Sequence, residues 1–80
     1  MITVFIADSC PYCAALVADL ERRRVRFRCV DVSRERGRLE ELKRLTWERR
    51  LPVVVDHERC SVGFAGGSST WRELGLEESP

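Results

Sequence analysis

Residues 10–13 read Cys-Pro-Tyr-Cys, and what flanks them constrains the fold more than any other feature of the chain. Before them, Ile2–Ala7 is a short apolar run rich in β-branched and aromatic residues, long enough for one buried strand. After them, Leu16, Val17 and Leu20 recur at helical spacing and form one apolar stripe with Cys13. Asp8-Ser9-Cys10-Pro11 is therefore a strand-to-helix turn. Pro11 suits the first helical position, where its missing N–H costs nothing. The helix is expected to run from Pro11 to Arg23 or Arg24. A C-x-x-C pair that follows a strand and opens a helix is the setting in which two cysteines do redox chemistry.

The chemistry follows from where the sulfurs sit. The thiolate, not the thiol, is the nucleophile. Cys10 lies at a helix N-terminus, where free backbone N–H groups and the positive dipole end stabilise a sulfur anion. Cys13 follows nearly one helical turn later, so its sulfur returns beside the first. Cys10, which must stay reachable from solvent to react, is thus the candidate nucleophile and Cys13, the more enclosed, the candidate resolving thiol. Pro11 holds the turn and Tyr12 shields one side of the site. Asp8 opposes this arrangement, because a carboxylate near Cys10 disfavours the anion.

The remaining pattern continues an α/β alternation. Val25–Val32 is a second strand in which Arg26 and Arg28 alternate against Phe27 and Cys29, placing Cys29 on the buried face beside Phe27. Ser33 is expected to cap a second helix carrying Leu39, Leu42 and Leu45, with Trp47 near its end and Gly37 weakening its first turn. Leu51–Val55 is a third strand entered through Pro52, Asp56–Arg59 a turn, and Cys60–Val62 a fourth strand. Gly63–Gly67 is a flexible loop. Ser68 or Ser69 caps a short last helix with Trp71 and Leu74, ended by Gly75. The order β-α-β-α-β-β-α implies a central four-stranded mixed sheet flanked by helices, its first two strands parallel and its last two antiparallel.

Charge and cysteine usage exclude several functions. Eighty residues make one domain, residues 1–80. Fourteen basic and 13 acidic side chains leave a net charge of +1, which gives no reason to expect a nucleic-acid or membrane partner. The run Arg22-Arg23-Arg24 is explained by cations favouring a helix C-terminus. The longest uncharged stretch, Ser9–Ala18, is far short of a membrane span. The start of the chain lacks a basic secretory n-region, so the cytoplasm is the expected location. Cysteines stand at 10, 13, 29 and 60, one pair and two scattered. A structural zinc site takes four ligands, usually in two paired sets; Cys29, His57 and Cys60 are isolated, so no metal site is expected.

With Cys10-Pro11-Tyr12-Cys13, Leu51-Pro52-Val53 and Gly63-Phe64 in view, the chain resembles the glutaredoxin family of the thioredoxin fold over about residues 2 to 76. The resemblance implies a thioredoxin-like fold and thiol–disulfide oxidoreductase activity, with Cys10 as nucleophile and Cys13 as resolving thiol. It further implies a cis peptide bond at Pro52, lying against the active site. The backbone just before it, at Leu51, would then pair with an extended substrate segment, and Val53, Gly63 and Phe64 would complete the substrate site. The second half is more similar to NrdH-type redoxins, which carry a like L-P-V-V segment, a hairpin and then S-G-F. Departures exist: Ala7 stands where a Lys or Arg is common, Ser61 where NrdH-type proteins have Trp, and no Asp follows Gly63-Phe64 to hold the amino group of glutathione. Two readings stay open, with a metal or iron–sulfur binding module that uses the same cysteines as a third behind them. One is a glutaredoxin-like reductase of protein or glutathione mixed disulfides. The other is an NrdH-type electron donor to ribonucleotide reductase. No bound cofactor is expected, the electron source is glutathione or thioredoxin reductase, and the working form is a monomer.

Overall fold

A computed structural model of the chain describes residues 1–76. Its centre is β1 (Ile2–Ile6), parallel to β2 (Phe27–Asp31) on one side and antiparallel to β4 (Val53–Val55) on the other. β4 pairs antiparallel with β5 (Cys60–Val62), so the four-stranded sheet runs β2-β1-β4-β5. The apolar run at the N-terminus takes the interior position because only there are both faces and both edges covered; Val4 and Phe5 are fully buried. Between β1 and β2 runs α1 (Pro11–Arg22), and α2 (Arg38–Leu45) follows β2.

Phe5, Val30 and Val53 align across the sheet on one face and share one core cluster with Leu39 and Leu42 of α2 and with Leu51 and Trp71. Val4 points to the opposite face and, like Leu16 of α1, is buried outside that cluster. The sheet is thus filled from both sides.

α1 ends as its sequence allows. Val25 N–H returns to the Leu20 carbonyl at 3.0 Å and Arg24 N–H to Glu21 at 3.1 Å, a Schellman closure. Arg24 occupies the left-handed position at φ +58°, where glycine is the usual residue.

Four expectations are corrected. Cys29 is exposed and Phe27 only half-buried, while Val30 and Val32 point inward. Arg28 shares their parity, but it sits towards the open end of an edge strand, and the aliphatic pair decides which face is covered. α2 begins at Arg38, not at Ser33. Ser33 instead accepts the Asp8 N–H at 3.2 Å and donates its hydroxyl to the Asp31 carboxylate, closing a turn between β2 and α2. Trp47 lies beyond α2, because Thr46 turns extended at φ −153°.

The last helix is the fourth. Among the described residues the chain instead forms β6 (Ser69–Thr70), antiparallel to a two-residue strand, β3 (Arg50–Leu51). Thr70, rather than Ser68 or Ser69, makes the cap: its hydroxyl accepts the Glu73 N–H at 3.1 Å while the Glu73 carboxylate accepts the Thr70 N–H at 3.1 Å. This capping box closes only one turn before Gly75 at φ +73°.

Candidate active site

Cys10 is the N-cap of α1. Its backbone is extended (φ −97°, ψ 105°), Pro11 is the first helical residue, and the Cys10 sulfur accepts the Cys13 N–H at 3.2 Å. A sulfur at this point takes up one of the donors that a helix start leaves unpaired. Ser9, at φ +68°, turns the chain out of β1 so that Cys10 can cap. The Cys13 side chain is buried in the same cluster as that of Cys10. Burial pushes the Cys13 thiol far up from its ordinary value, and the adjoining Cys10 side chain and the charges of Cys10 and Asp31 act the same way against a smaller opposing contribution from the Ala7 backbone. Cys13 is therefore a protonated thiol at neutral pH.

The second half of the chain approaches from the opposite side. The Leu51–Pro52 peptide bond is cis. The Leu51 carbonyl lies 3.9 Å from the Cys10 sulfur, so the proline segment borders the thiol pair. Gly63 N–H donates to the Pro52 carbonyl at 2.8 Å, tying the end of the β4–β5 hairpin to the proline. The segment expected as a flexible loop is a tight turn. Phe64 and Gly67 exchange backbone hydrogen bonds at 2.7 and 2.9 Å around Ala65 and Gly66, both at positive φ, the pattern of a two-residue type I′ turn. The turn sets Gly67 under the Tyr12 ring so closely that a Cβ there would lie 2.0 Å from a ring carbon. Cys10, Cys13, Leu51 and Pro52 thus converge, with Tyr12 and Gly67 closing one side.

Four placements differ from expectation. Cys10 is only 4% exposed, so the sulfur is enclosed rather than open. Leu51 is already paired: it stands opposite Ser69, and Trp71 N–H donates to the Arg49 carbonyl at 2.9 Å. By the alternation of an antiparallel ladder, Leu51 and Ser69 are then a hydrogen-bonded pair. The edge expected to receive a substrate strand carries the chain's own β6. Val53 lies between β1 and β5 and is fully buried, so it forms the floor beneath the site and presents nothing to a substrate. Phe64 is half-buried at the turn, held to Gly67 and not to the cysteines.

No motif in the sequence points to Asp31, whose charge reaches Cys13. Burial works against ionising Asp31, but the Ser33 hydroxyl, the Ser33 and Arg34 N–H groups and the Arg34 charge hold its carboxyl below the usual range. Asp8, by contrast, is exposed and held through its backbone to Ser33. Cys29 and Cys60 are exposed thiols whose pKa is also pushed up, by partial burial and then by Asp31 and Glu21 for Cys29 and by Glu48 for Cys60. Among the described residues no three His, Cys, Asp or Glu side chains converge as a metal site, and no helix is long and apolar enough to cross a membrane.

A sequence model of the glutaredoxin family matches residues 2–59, from β1 through the β4–β5 turn, and so includes both cysteines and the cis proline. The chain belongs to the glutaredoxin family. It is accordingly a redox protein of the thiol–disulfide oxidoreductase kind, on a thioredoxin-like fold. The glutaredoxin of Archaeoglobus fulgidus superposes with a TM-score of 0.71 at 22% identity, covering 79% of this chain and 74% of that one. The NrdH-redoxin of Escherichia coli, a glutaredoxin-like protein with a thioredoxin-like activity profile, superposes at 0.72 with 26% identity, covering 99% and 97%. A search of curated protein sequences returned no match.

Proposed function

We propose that this glutaredoxin reduces disulfides in other proteins by a two-cysteine exchange, with Cys10 attacking and Cys13 resolving. The observation that carries the reading is the contact between the pair: the Cys13 N–H sits 3.2 Å from the Cys10 sulfur, and both side chains are buried in one cluster. In the first step the Cys10 thiolate attacks one sulfur of a substrate disulfide, forming a mixed disulfide and releasing the other sulfur as thiolate. In the second, Cys13 gives up its proton and attacks the Cys10 sulfur, releasing the second substrate thiolate. The substrate gains two electrons and the protein is left with a Cys10–Cys13 disulfide. A dithiol or two thiols then reopen it.

Burial suits Cys13 to this role. A thiol kept protonated does not compete for the substrate, and it becomes reactive only when a disulfide forms beside it. The enclosure of Cys10 adds a condition: the residues that cover it must yield for a protein disulfide to reach the sulfur. On this reading a substrate segment replaces Ser69 opposite Leu51, with Gly63 and Phe64 at its rim and Pro11, Tyr12 and Pro52 holding the pair in place.

For recharging, thioredoxin reductase is the favoured donor and glutathione the second. The near-complete coverage of NrdH-redoxin favours the first, as does the lack of an Asp after Gly63-Phe64. The second half, with Leu51-Pro52-Val53-Val54 and Gly63-Phe64, also keeps the NrdH-type role of donor to ribonucleotide reductase as the alternative. Insulin reduction tests the proposal with each donor supplied alone. Turnover is expected with thioredoxin reductase and NADPH and is abolished by Cys10→Ser; full activity of that variant overturns the reading, and turnover with glutathione alone reverses the choice of donor.

A further inference from the structure

The turn that carries Cys10 is held from outside itself. Asp8 and Ser9 lead from the end of β1 to the thiol, and Ser9 stands at φ +68°, a left-handed conformation that a non-glycine residue keeps only when its surroundings hold it there. The hold comes from the end of β2. Val32 N–H donates to the Ile6 carbonyl at 2.8 Å. Bonds in a parallel ladder follow one another evenly, and the next donor along this edge is Asp8 N–H. Its acceptor is the Ser33 hydroxyl at 3.2 Å, 25 residues away in sequence. A side chain thus carries the β1–β2 pairing past the end of both strands, to within two residues of Cys10.

Ser33 is set as an acceptor by a second bond. Its single hydroxyl proton goes to the Asp31 carboxylate, whose Oδ1 also accepts the Ser33 N–H at 2.9 Å. With that proton given to an anion, the oxygen has only lone pairs to offer a further partner. Asp31 is kept ionised despite its burial, because Ser33 and Arg34 hold its carboxyl below the usual range. The bond to Asp8 is not needed to close the turn after β2, since Arg34 N–H and Glu35 N–H already return to the Asp31 carbonyl at 3.2 and 2.9 Å. It serves the other turn, the one that ends at the thiol.

The two sulfurs depend on that turn unequally. Cys13 lies within α1 and is buried, so the helix fixes it. Cys10 is the cap, outside the helical backbone, and the Asp8–Ser9 turn delivers it. We propose that Ser33, oriented by Asp31, is a positioning residue for the resolving step: it fixes the turn so that the Cys10 sulfur stays within reach of Cys13. The inference rests on the two-cysteine exchange. In that step the Cys13 sulfur bonds to the Cys10 sulfur, its proton passes to water, and the substrate sulfur leaves with the electron pair of the bond that breaks. A looser turn lowers the effective concentration of one sulfur at the other, which slows the step and weakens the disulfide it forms. The expected loss is about fivefold, the factor that one net hydrogen bond carries.

Two measurements read this loss. Equilibration with mixtures of reduced and oxidised glutathione, quenched in acid and resolved by mass, gives the stability of the Cys10–Cys13 disulfide. Single turnover with a peptide disulfide gives the lifetime of the peptide adduct on Cys10. Ser33→Ala is expected to lower the first about fivefold and to lengthen the second about fivefold. Ser33→Thr keeps the hydroxyl and is expected to stay within about twofold of the native protein in both, well inside the effect of one hydrogen bond. Cooperative thermal unfolding confirms that each variant is folded. Values for Ser33→Ala that match the native protein, or a loss in Ser33→Thr as large as in Ser33→Ala, overturn the inference while the exchange reading stands. A native protein that forms no Cys10–Cys13 disulfide in these mixtures overturns the exchange reading, and this inference with it.

Discussion

Gly67→Ala is the most discriminating small change available at the site. A methyl group at residue 67 would meet three carbons of the Tyr12 ring at 2.0, 2.6 and 2.6 Å, against an ordinary contact distance of 3.4–4 Å. The ring must therefore retreat by about 1.5 Å or more, since carbon atoms rest roughly 3.5–4.0 Å apart. Gly67 itself is not at positive φ, so the backbone accepts alanine and the whole penalty comes from the ring. Tyr12 is 40% exposed and can turn outwards. That places the cost at the low end of the overpacking range, about 1 kcal/mol, or roughly 4–8 °C in Tm for a domain of this size. Thermal unfolding by circular dichroism of the native protein, Gly67→Ala, Tyr12→Ala and the double variant completes a thermodynamic cycle. With Tyr12 truncated, Gly67→Ala is expected to cost nearly nothing, so the coupling equals about 1 kcal/mol. Equal losses in both backgrounds, or no loss in the native one, would refute the Tyr12–Gly67 contact as the closure of the site.

Other consequences are open to direct measurement. Arg24→Gly removes a left-handed non-glycine residue from the end of α1; relief of about 1–2 kcal/mol less the unfolded-state entropy of glycine should raise denaturant stability by about 0.5–1 kcal/mol. Leu42→Ala empties a fully buried position of α2 and should cost about 2–5 kcal/mol in urea unfolding. Asp31→Asn deletes a carboxylate whose folded-state ionisation is held low by Ser33 and Arg34. Because that stabilisation is present above the unfolded carboxyl pKa and lost as pH falls through the folded one, the variant should lie about 1 kcal/mol below the native protein at pH 7 and match it near pH 2. Alkylation of Cys29 and Cys60 should be slow at pH 7 and rise only in the alkaline range, because partial burial and nearby carboxylates push both thiols up; peptide mass mapping across pH would show the reverse if either were an activated thiol.

The parts of the site legible in the sequence were those set by local rules. A β-branched run, a proline at the first helical position and a three-residue cysteine spacing are enough to place Cys10 at the N-cap with Cys13 beside it. The β4–β5 hairpin was equally readable, from the polar turn Asp56–Arg59 between two short strand segments. What escaped depends on partners distant in sequence. Alternation in β2 defines two faces but not which one is covered, and Cys29 came out on the open side of an edge strand. Thr70-Trp71-Arg72-Glu73 carries a true helix-start signal, yet only four residues separate Thr70 from Gly75. One turn is too short to sustain a helix. Ser69 and Thr70 meanwhile meet the unpaired backbone of Arg50 and Leu51, and pairing there satisfies both segments. Neither the closed Leu51 edge nor the Tyr12–Gly67 contact has a local signature, which is why the site looked open from the sequence and is enclosed in the structure.

The division of labour between the two buried cysteines is tested most directly by trapping. Cys13→Ser protein, fully reduced and mixed with a disulfide-containing peptide, is digested under acid and mapped by mass spectrometry. A stable peptide adduct on Cys10 in the variant, together with a Cys10–Cys13 disulfide and free peptide thiol in the native protein, is the predicted result. An adduct on Cys29 or Cys60 in place of Cys10, or a native protein that holds its adduct as long as the variant does, would contradict it.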